Sequence, residues 1–523
     1  MILSTIIAEI NAISAPLIKI EDDLPVLGVS HDSRNIKHGE IFVAFSGGSF
    51  DGHAYINDAI SNGAIAIIGE KEISFEFPKP YFRVKNARYA LAQLAAAFNH
   101  YPAKKLNVIG VTGTDGKTTT VSLIHHILTE SGIKTGMVST VNARIGNETV
   151  DTGFHVTTPE AQEIQSILKK MVDYGLTHVV LEATSHGLEQ YRVAECYFDV
   201  AVVTNITHEH LDYHGDYAHY FQSKSRLITW LDHGMRKSQF SQPTAIINHD
   251  DISYQPLMKV IGDHPIDKLT TISYGLTGDS DLHAQNIRNI PEGIVFDLVI
   301  DHHNYTVESK MIGEYNVFNI LAAISAAHFA CGIEIPKIIN AIRSFSGVPG
   351  RMEEIDMGQP FSAIVDFAHT PNALKVALET SRNRTKNRVI AVFGSAGLRD
   401  REKRRMMAAT SILNADITII TAEDPRTEDL DDILLEMKDE AVRYGGVEGD
   451  NLFIIPDRGN AIQFAVDMAL EGDLVVACGK GHEQSMCFGE TEFPWDDRIA
   501  FRAALAALMQ VDGPKMPYLP TQD

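Results

Sequence analysis

One short segment constrains the fold of this chain more than any other: a Gly-rich loop between an apolar run and a helical pattern. The apolar run covers residues 106–111, the loop reads Gly113-Thr-Asp-Gly-Lys-Thr-Thr119, and the helical pattern extends from Lys117 to Glu130. Free N–H groups at the start of a helix attract anions, and a lysine in the loop adds positive charge. The segment therefore predicts a phosphate-binding loop, although it is not a strict Walker A motif, because Val111 stands where that motif has its first glycine.

The rest of the chain repeats this alternation of apolar runs and helical patterns, which indicates mostly parallel sheets. Its 523 residues would fill about three domains, at ~100–200 residues each. We divide the chain into residues 1–88, 89–338 and 339–523. The predicted strands are residues 41–45, 64–68, 106–111, 177–181, 198–203, 245–247, 363–365, 389–393, 417–420 and 474–477, and further predicted helices are residues 87–98 and 316–330.

Charge and composition exclude several classes of protein. The formal net charge of −23 disfavours nucleic acid and anionic membranes as partners, because both require a positive surface. The chain has no apolar stretch of about 18 residues and no basic signal-like start, so we expect no membrane insertion and a cytoplasmic location. The four cysteines form no CxxC pair and are expected to be reduced. We expect a monomer.

Polar residues that suit a metal follow two predicted strands of the second block. Glu182 ends one strand, and residues 204–215 contain three histidines and two acids. A carboxylate at a strand end beside a phosphate loop is well placed for Mg²⁺. The histidine spacing does not match the HExxH motif of zinc proteases. The two segments predict a metal or phosphoryl-transfer site, with a solvated polar loop as the alternative for residues 204–215.

These motifs resemble those of the Mur ligases, ATP-dependent amide-bond ligases that share the shortened loop with folylpolyglutamate synthetases. Asp115 stands where the family usually has asparagine, and Glu209 where it has aspartate. The resemblance implies that ATP and Mg²⁺ are used and that Lys224 matches a lysine that the family often carbamylates. The implied catalytic residues are Lys117, Glu182, His210 and Lys224. The implied metal ligands are Thr118, Glu182, His210 and carbamylated Lys224. The implied ATP contacts in this block are Gly113, Thr114, Asp115, Gly116, Lys117, Thr118, Thr119 and Asn316.

The first block resembles the UDP-binding domain of the branch that adds the third amino acid of the cell-wall peptide, the MurE type. The resemblance is carried by His31-Asp-Ser-Arg34, Glu40-Ile-Phe-Val-Ala44 and Asp51-Gly52, and in the second block by Thr157-Thr-Pro159 and Thr184-Ser-His186. Hydroxyl groups and an arginine suit a ligand with phosphates and carboxylates. The implied contacts to UDP-MurNAc-L-Ala-D-Glu are Ser33, Ser49, Phe50, Thr157, Thr158, Thr184, Ser185, Gln190 and Arg192.

The third block resembles the segments of this family that face ATP and the incoming amino acid. Gly350-Arg351 and Asp366-Phe-Ala-His369 imply ATP contacts from Arg351, Asp366 and His369. Enzymes that add diaminopimelate usually have asparagine at the place of Asp424, whose charge would favour the distal amine of lysine or ornithine. Arg426 would instead clamp a distal carboxylate, so the diamino acid stays open. The implied amino-acid contacts are Arg399, Asp424, Arg426, Gly479 and Glu483.

The resemblance implies a fold and a reaction. Residues 1–88 would form a small α/β domain that binds the UDP precursor, residues 89–338 a P-loop-type ATPase domain with a mostly parallel sheet, and residues 339–523 a Rossmann-like domain that binds the amino acid. The implied enzyme joins the D-Glu side-chain carboxylate of UDP-MurNAc-L-Ala-D-Glu to meso-diaminopimelate, L-lysine or L-ornithine. An acyl phosphate would activate the carboxylate during this step of peptidoglycan precursor synthesis.

Other functions share parts of this pattern. A folylpolyglutamate-synthetase-like ligase has the same loop but lacks the UDP-binding domain that residues 31–68 resemble. A different Mur ligase step is disfavoured by the amino-acid loops of the third block. A non-catalytic nucleotide-binding protein on the same fold is supported by the substitutions at Asp115, Glu209 and Phe367 and opposed by the intact Lys117. ATP hydrolysis coupled to amide formation separates these possibilities.

Overall fold

The computed structural model describes residues 1–10, 12–14, 23–47, 51–73, 77–150, 158–207, 216–232, 242–290 and 292–522. The chain divides into two compact units. The first comprises Met1–Asn286, Phe296–Val307 and Val317–Arg343, and the second comprises Ile287–Val295, Glu308–Asn316 and Ser344–Asp523. Helices and largely parallel sheets make up both units, which confirms the predicted α/β fold class. The bounds predicted for three domains stay predictions.

A five-stranded sheet begins the first unit. The strands are β1 (Ala12–Ser14), β2 (Gly28–Ser30), β3 (Glu40–Ala44), β4 (Ala66–Gly69) and β5 (Tyr81–Val84), and the helices are α1 (Leu3–Ile7), α2 (Ile56–Ser61) and α3 (Ala87–Phe98). The strand order is β1-β5-β4-β3-β2, with β1 antiparallel to β5 and the other neighbours parallel. Every residue of β4 is buried, as expected for the middle of a parallel sheet covered on both faces.

An eleven-stranded sheet follows, in the order β16-β15-β14-β13-β12-β11-β6-β10-β7-β8-β9. These strands are β6 (Asn107–Thr112), β7 (Thr135–Val138), β8 (Ala143–Ile145), β9 (Glu148–Val150), β10 (His178–Glu182), β11 (Val200–Val203), β12 (Thr244–Asn248), β13 (Thr270–Gly275), β14 (Leu282–Ile290), β15 (Gly293–Ile300) and β16 (His303–Ser309). Strands β7, β10, β6, β11 and β12 are parallel neighbours. Glu182 of β10 and Val203 of β11 pair with Val111 and Thr112 of β6, so three carboxyl ends meet at one edge.

Within the part of the chain that the structure describes, seven helices lie around this sheet, and the sequence predicted two of them. They are α4 (Lys117–Glu130), α5 (Ala161–Asp173), α6 (Ser185–Glu189), α7 (Tyr217–Thr229), α8 (Tyr254–Asp263), α9 (Tyr315–Ser325) and α10 (Ile335–Ser344). Helix α4 has the predicted bounds. The helix predicted over residues 316–330 ends instead at Ser325, where a π-helical turn, Ala326–Ala330, takes over. A π-helical turn has i→i+5 hydrogen bonds and occurs mostly as a single turn within an α-helix.

A six-stranded sheet forms the centre of the second unit, in the order β17-β18-β22-β19-β20-β21. The strands are β17 (Glu353–Glu354), β18 (Ser362–Asp366), β19 (Val389–Phe393), β20 (Ile417–Ile420), β21 (Leu452–Ile454) and β22 (Leu474–Cys478), with a separate hairpin of β23 (Ser485–Phe488) and β24 (Thr491–Pro494). The helices are α11 (Pro371–Arg384), α12 (Arg401–Asn414), α13 (Leu430–Arg443), α14 (Arg458–Met468) and α15 (Asp497–Met509). All neighbours are parallel except β17 and β18, so the loops after β18, β19, β20 and β22 leave one edge.

Short helical turns complete the described chain. They are Gly52–Tyr55, Pro102–Lys105, Ala194–Cys196, Trp230–Asp232 and Pro520–Gln522. Within the described ranges, none of the helices combines the length and the apolar character needed to cross a membrane.

Candidate active site

The Gly-rich loop joins the end of β6 to the start of α4, as the sequence predicts. Gly113 has φ +155°, and a Cβ there would lie 1.8 Å from Oγ1 of Thr204, so no larger residue fits. Gly116 has φ +81° and forms the N-cap of α4. The Lys117 Nζ donates to the carbonyls of Gly113 at 3.0 Å and Thr114 at 2.6 Å. The loop therefore has the helix N-terminus and the lysine that phosphate binding requires.

The segment after β11 supports this loop from the neighbouring strand end. The Thr114 N–H donates to the Asn205 carbonyl at 2.8 Å, and the Asp115 N–H donates to Asn205 Oδ1 at 2.9 Å. The Thr204 hydroxyl donates to the Asp115 carbonyl at 2.6 Å. Asp115 itself is exposed, so the acidic residue that replaces asparagine is not buried in the loop. Thr119 follows in the first turn of α4.

A buried carboxylate lies beside the loop. Glu182 Oε2 accepts from the Thr118 hydroxyl and from the Thr140 N–H, each at 3.0 Å, and Oε1 accepts from the Thr140 hydroxyl at 2.9 Å. Hydroxyl and carboxylate oxygens are the ligands that Mg²⁺ prefers, so Thr118 and Glu182 fit the predicted metal site. His210 lies outside the described residues. Within those residues, no three His, Cys, Asp or Glu side chains form a ready metal site.

Lys224 reaches the same loop from α7. Its side chain is 1% exposed, and its Nζ donates to the Gly113 carbonyl at 2.5 Å. The ring of Tyr220 lies 4.6 Å from this Nζ, and the Tyr220 hydroxyl lies 3.1 Å from Oγ1 of Thr114. Lys117 and Lys224 thus share one carbonyl acceptor. Carbamylation of Lys224 stays a prediction.

Four residues predicted to bind the precursor meet next to Glu182. The hydroxyls of Thr158 and Thr184 are 2.8 Å apart, and the Thr158 hydroxyl also lies 3.4 Å from the Glu182 carbonyl. Arg192 donates to the Thr158 carbonyl at 2.7 Å and to Gln190 Oε1 at 2.8 Å. Further members of the cluster are buried Ser185 at the start of α6 and Glu160, which pairs with Arg192 at 2.9 Å.

The N-terminal sheet adds contacts that the sequence did not reveal. The rings of His31 and Phe45 stack at 5.6 Å, and the Arg88 guanidinium lies 4.0 Å from the Phe45 ring centre. Arg88 also donates to Gln190 Oε1 at 3.3 Å, and His31 Nδ1 lies 2.8 Å from Gln162 Nε2. The only signal for Arg88 is that it is the one cationic residue in an Ala-rich helix. Ser33 is buried in this sheet region, whereas Ser49, Phe50 and Thr157 lie outside the described residues.

The predicted ATP-facing residues of the second unit form an aromatic and cationic group. The Arg351 guanidinium lies 4.3 Å from the Phe367 ring centre, and that ring lies 4.6 Å from His369 and 4.9 Å from His482. Burial lowers the pKa of His482 to about 3, with nearby cations acting in the same direction. Asp366 accepts from two backbone N–H groups at 2.8 Å, and burial raises its pKa.

Asn316 and Asn319, both in α9, lie in different surroundings. The Asn316 side chain donates to the Ile312 carbonyl at 2.7 Å. Asn319, which is not among the predicted ATP contacts, lies beside the phosphate loop: its Oδ1 accepts from the Thr120 hydroxyl at 3.4 Å and would lie 2.2 Å from a Cβ on Gly116.

The predicted amino-acid loops meet at the carboxyl ends of β20 and β22. The buried Lys480 Nζ donates to both oxygens of Asp424 at 3.0 Å and pairs with Glu483 at 2.5 Å. Arg426, at φ +56°, is held by backbone bonds to β23 and to the turn after it. Arg399 is exposed in the loop after β19. Asp424 is therefore paired with Lys480 inside the protein, and the choice of diamino acid stays a prediction.

Glu423 lies in the same loop as Asp424 but is not among the predicted amino-acid contacts. It is buried, and burial raises its pKa to about 7, with Arg458 opposing the shift. A Cβ on Gly479 would lie 2.1 Å from Glu423 Oε2, and one on Gly394 would lie 2.7 Å from Glu423 Cβ. The side chain thus occupies space that glycines after β19 and β22 leave open, at the edge where ligands bind in open α/β sheets.

Comparison with known proteins agrees with this geometry. Residues 25–99 match the Mur ligase family catalytic domain, residues 111–327 the Mur ligase middle domain, and residues 350–481 the Mur ligase glutamate ligase domain. In this order the three matches define the class, and the chain belongs to the Mur ligase family. Its tripeptide-synthetase type follows from relatives that match along nearly the whole chain.

Two relatives and one solved structure show how much of the chain is matched. The UDP-N-acetylmuramoyl-L-alanyl-D-glutamate–2,6-diaminopimelate ligase of Geobacillus thermodenitrificans is 40% identical over 92% of this chain and 95% of its own length. The UDP-N-acetylmuramyl-tripeptide synthetase of a Roseiflexus species is 40% identical, with the same coverage of both chains. A solved UDP-N-acetylmuramoyl-L-alanyl-D-glutamate–2,6-diaminopimelate ligase is 31% identical, covers 94% of this chain and 98% of its own, and has a TM-score of 0.65.

Proposed function

We propose that the chain is an ATP-dependent ligase that joins the D-Glu side-chain carboxylate of UDP-MurNAc-L-Ala-D-Glu to an amino group of a diamino acid, within peptidoglycan precursor synthesis. The observation that carries this proposal is the position of Glu182. Its side chain accepts from Thr118 of the phosphate loop, while its backbone carbonyl faces Thr158 of the precursor cluster. One residue thereby joins the expected phosphate site to the expected carboxylate site.

The reaction needs activation because a free carboxylate is a poor electrophile. The D-Glu carboxylate attacks the γ-phosphate of ATP, and an acyl phosphate forms with release of ADP. The amine of the diamino acid then attacks the acyl carbon, and phosphate leaves. The helix N-terminus of α4 and Lys117 hold the phosphates and stabilise the charge that develops on them.

Thr118 and Glu182, with His210 and a carbamylated Lys224, are the residues we propose to hold Mg²⁺. When bound, the metal would neutralise negative charge on the phosphates of ATP. Arg192 and the hydroxyls of Thr158 and Thr184 would orient the precursor carboxylate, since a guanidinium and hydroxyls suit carboxylates and phosphates.

For the incoming amino acid we propose meso-diaminopimelate, with L-lysine and L-ornithine as the alternatives. Two of the three similar proteins described above are named for diaminopimelate. Arg426 provides a cation that suits the distal carboxylate of this amino acid. Asp424, whose charge would oppose a distal carboxylate, is paired with Lys480.

Phosphate release tests the proposal. Purified protein is incubated with ATP, Mg²⁺ and UDP-MurNAc-L-Ala-D-Glu, and meso-diaminopimelate, L-lysine or L-ornithine is added in separate reactions. We expect diaminopimelate to stimulate release, with a nucleotide-tripeptide of the matching mass. Stimulation by lysine or ornithine alone would keep the ligase and reject the choice of amino acid. Lack of stimulation by all three, despite ATP binding, would reject the ligase proposal.

A further inference from the structure

The turn after α6 carries two of the residues predicted to contact the precursor, Gln190 and Arg192, with Tyr191 between them. Tyr191 has φ +58°, in the left-handed region that residues other than glycine rarely adopt. Its N–H donates to the Leu188 carbonyl at 3.3 Å, and the Arg192 N–H donates to the Gly187 carbonyl at 2.9 Å. A backbone conformation of this kind persists only where surrounding contacts hold it.

The Tyr191 ring is held by three side chains from other elements. Its centroid lies 5.4 Å from that of Tyr89 on α3 and 6.1 Å from that of Trp230. The Arg226 guanidinium, from α7, lies 5.3 Å from the centre of the same ring. Aromatic pairs, and cations over aromatic rings, attract each other at these distances. The ring therefore anchors the turn to α3 and α7.

Arg226 also binds the end of α6 directly. Its Nη1 donates to the carbonyls of Leu188 at 3.3 Å and Glu189 at 3.1 Å. Carbonyls in the last turn of a helix lack partners within the helix, and a cationic side chain can bind them. Arg226 lies two residues after Lys224, whose Nζ donates to the Gly113 carbonyl of the phosphate loop. Helix α7 therefore contacts both the phosphate loop and the turn after α6.

We infer that Arg226 and Tyr191 are positioning residues for the UDP precursor: together they fix the turn after α6, and the turn holds Gln190 and Arg192 in place for the substrate. Neither Arg226 nor Tyr191 is a predicted substrate contact. Arg192 binds both Gln190 Oε1 and the Thr158 carbonyl, so a shift of the turn would disturb the whole precursor cluster. This inference rests on the proposed function and deepens it, because it assigns the geometry of the precursor site to residues outside that site.

A direct role of Arg226 makes a different prediction. A guanidinium that attracted a phosphate or carboxylate of the precursor by its charge could be replaced by lysine, which keeps the charge. The positioning role requires a planar group that stacks on Tyr191 while it donates to two carbonyls, and an ammonium group does not reproduce this geometry. Arg226→Lys and Arg226→Met should therefore be impaired to a similar extent.

The test measures the Kd of UDP-MurNAc-L-Ala-D-Glu by calorimetry, together with steady-state constants. For both Arg226 variants we expect this Kd to rise by about tenfold, the scale of one hydrogen bond to a charged group, with KM for ATP and for the amino acid within about twofold of wild type. Tyr191→Ala removes the ring and should have the same effect. Tyr191→Phe keeps the ring and should bind the precursor as the wild type does.

His219→Gln is the matched control. His219, also on α7, pairs with Glu189 of α6 at 2.9 Å, so this variant removes a contact between the same two helices and keeps Arg226 and Tyr191. It should leave the Kd of the precursor unchanged. A cycle with Arg192→Met shows whether Arg226 acts through Arg192: in that background Arg226→Met should add little, whereas independent contacts would give multiplied effects.

Wild-type affinity in Arg226→Lys, or in both Arg226 variants, would overturn the inference while the ligase assignment stands. Equal losses of precursor binding and of binding of a fluorescent ATP analogue would also overturn it, because Arg226 would then act through α7 on the phosphate loop. A wild-type protein that binds the precursor but makes no tripeptide would overturn the proposed function, and the Kd values would still decide the inference. A wild-type protein that does not bind the precursor would overturn both.

Discussion

Individual polar residues of the candidate site are held by neighbouring protein groups. Lys117 and Lys224 both donate to the Gly113 carbonyl, and Glu182 accepts from Thr118 and Thr140. Each buried charge thereby keeps partners that offset the cost of burial. Side chains held in this way keep their orientation before the substrates bind. Such preorganised groups stabilise the charge of a transition state effectively.

The Thr118 hydroxyl gives the first prediction at this scale. Thr118→Val keeps the side-chain volume but removes the group that donates to Glu182 and would bind Mg²⁺. We expect kcat to fall by about 10²–10³-fold, the usual effect of losing one group that stabilises transition-state charge, with a small change in KM for the amino acid. Thr129→Val in the exposed last turn of the same helix is the control. Steady-state phosphate release measures both, and equal activity of the two variants would contradict the assignment.

Glu423 gives a prediction about pH. Burial raises the pKa of this carboxyl to about 7, so the folded protein binds a proton more tightly than the unfolded chain does. The stability that this proton binding contributes is therefore present at low pH and is lost as pH rises towards 7. Glu423→Gln stays uncharged at every pH, so its stability relative to wild type should increase by on the order of 2 kcal/mol between pH 5 and pH 8.

Urea unfolding at the two pH values measures this difference. The exposed Glu490→Gln variant is the control and should show the same stability difference from wild type at both pH values. A stability difference for Glu423→Gln that is also independent of pH would show that Glu423 does not titrate in this range.

At the scale of elements, strong local signals predicted boundaries well. Helices α3 and α4 and strands β19 and β20 have the predicted bounds. Asn86 caps α3 by accepting the Tyr89 N–H, and Gly116 is the N-cap of α4. The start of each helix is therefore set by residues next to it in the sequence. Fourteen of the described strands were not predicted: β1, β2, β5, β7, β8, β9, β13, β14, β15, β16, β17, β21, β23 and β24. Strands β8 and β9 have only three residues each, and about half of the residues of β14 are polar, so these three strands give no clear apolar run.

The glycine that joins β6 to α4 provides a prediction at this scale. Gly113→Ala would bring a Cβ within 1.8 Å of Thr204 Oγ1, so the loop must move. We expect binding of a fluorescent ATP analogue to weaken by at least about tenfold, since displaced loop N–H groups no longer converge on the phosphates. Gly132→Ala, after the other end of α4, has φ +85° and open space around its Cβ. It should cost about 1 kcal/mol of stability and leave nucleotide binding intact; similar binding losses in both variants would contradict this explanation.

At the scale of the whole molecule, the site depends on pairs that are far apart in sequence. Thr118 and Glu182 were expected to meet because the carboxyl ends of parallel strands share an edge. Lys480 was missed as the partner of Asp424, 56 residues away, because strand order and loop paths decide which side chains meet. Arg88 was missed for the same reason: Gln190 is 102 residues away. The fold class and the chemistry of a loop can be predicted from residues that are close together in the sequence. The partners of Asp424 and Arg88 cannot, because they are far away in the sequence.

Arg88 tests how the N-terminal sheet contributes to the site. Its guanidinium lies on Phe45 and donates to Gln190, which is itself bound to Arg192. Arg88→Met keeps much of the apolar stem but removes both contacts. We expect KM for UDP-MurNAc-L-Ala-D-Glu to rise by about tenfold, the scale of one charge-assisted hydrogen bond, with KM for ATP unchanged. Arg83→Met, on β5 of the same sheet, is the control. A similar rise in the KM for the UDP precursor in Arg83→Met, or a change only in the KM for ATP in Arg88→Met, would contradict this role.

The close packing of Glu423 against two glycines bears on how such an enzyme changes specificity in evolution. Glu423 follows β20, while Gly394 follows β19 and Gly479 follows β22, and neither glycine leaves room for a larger side chain beside it. A single loop taken from a homologue that adds a different third amino acid to the cell-wall peptide would therefore clash with the two loops left in place. Successful exchanges, in nature or by recombination, should transfer all three loops together as a single inherited block.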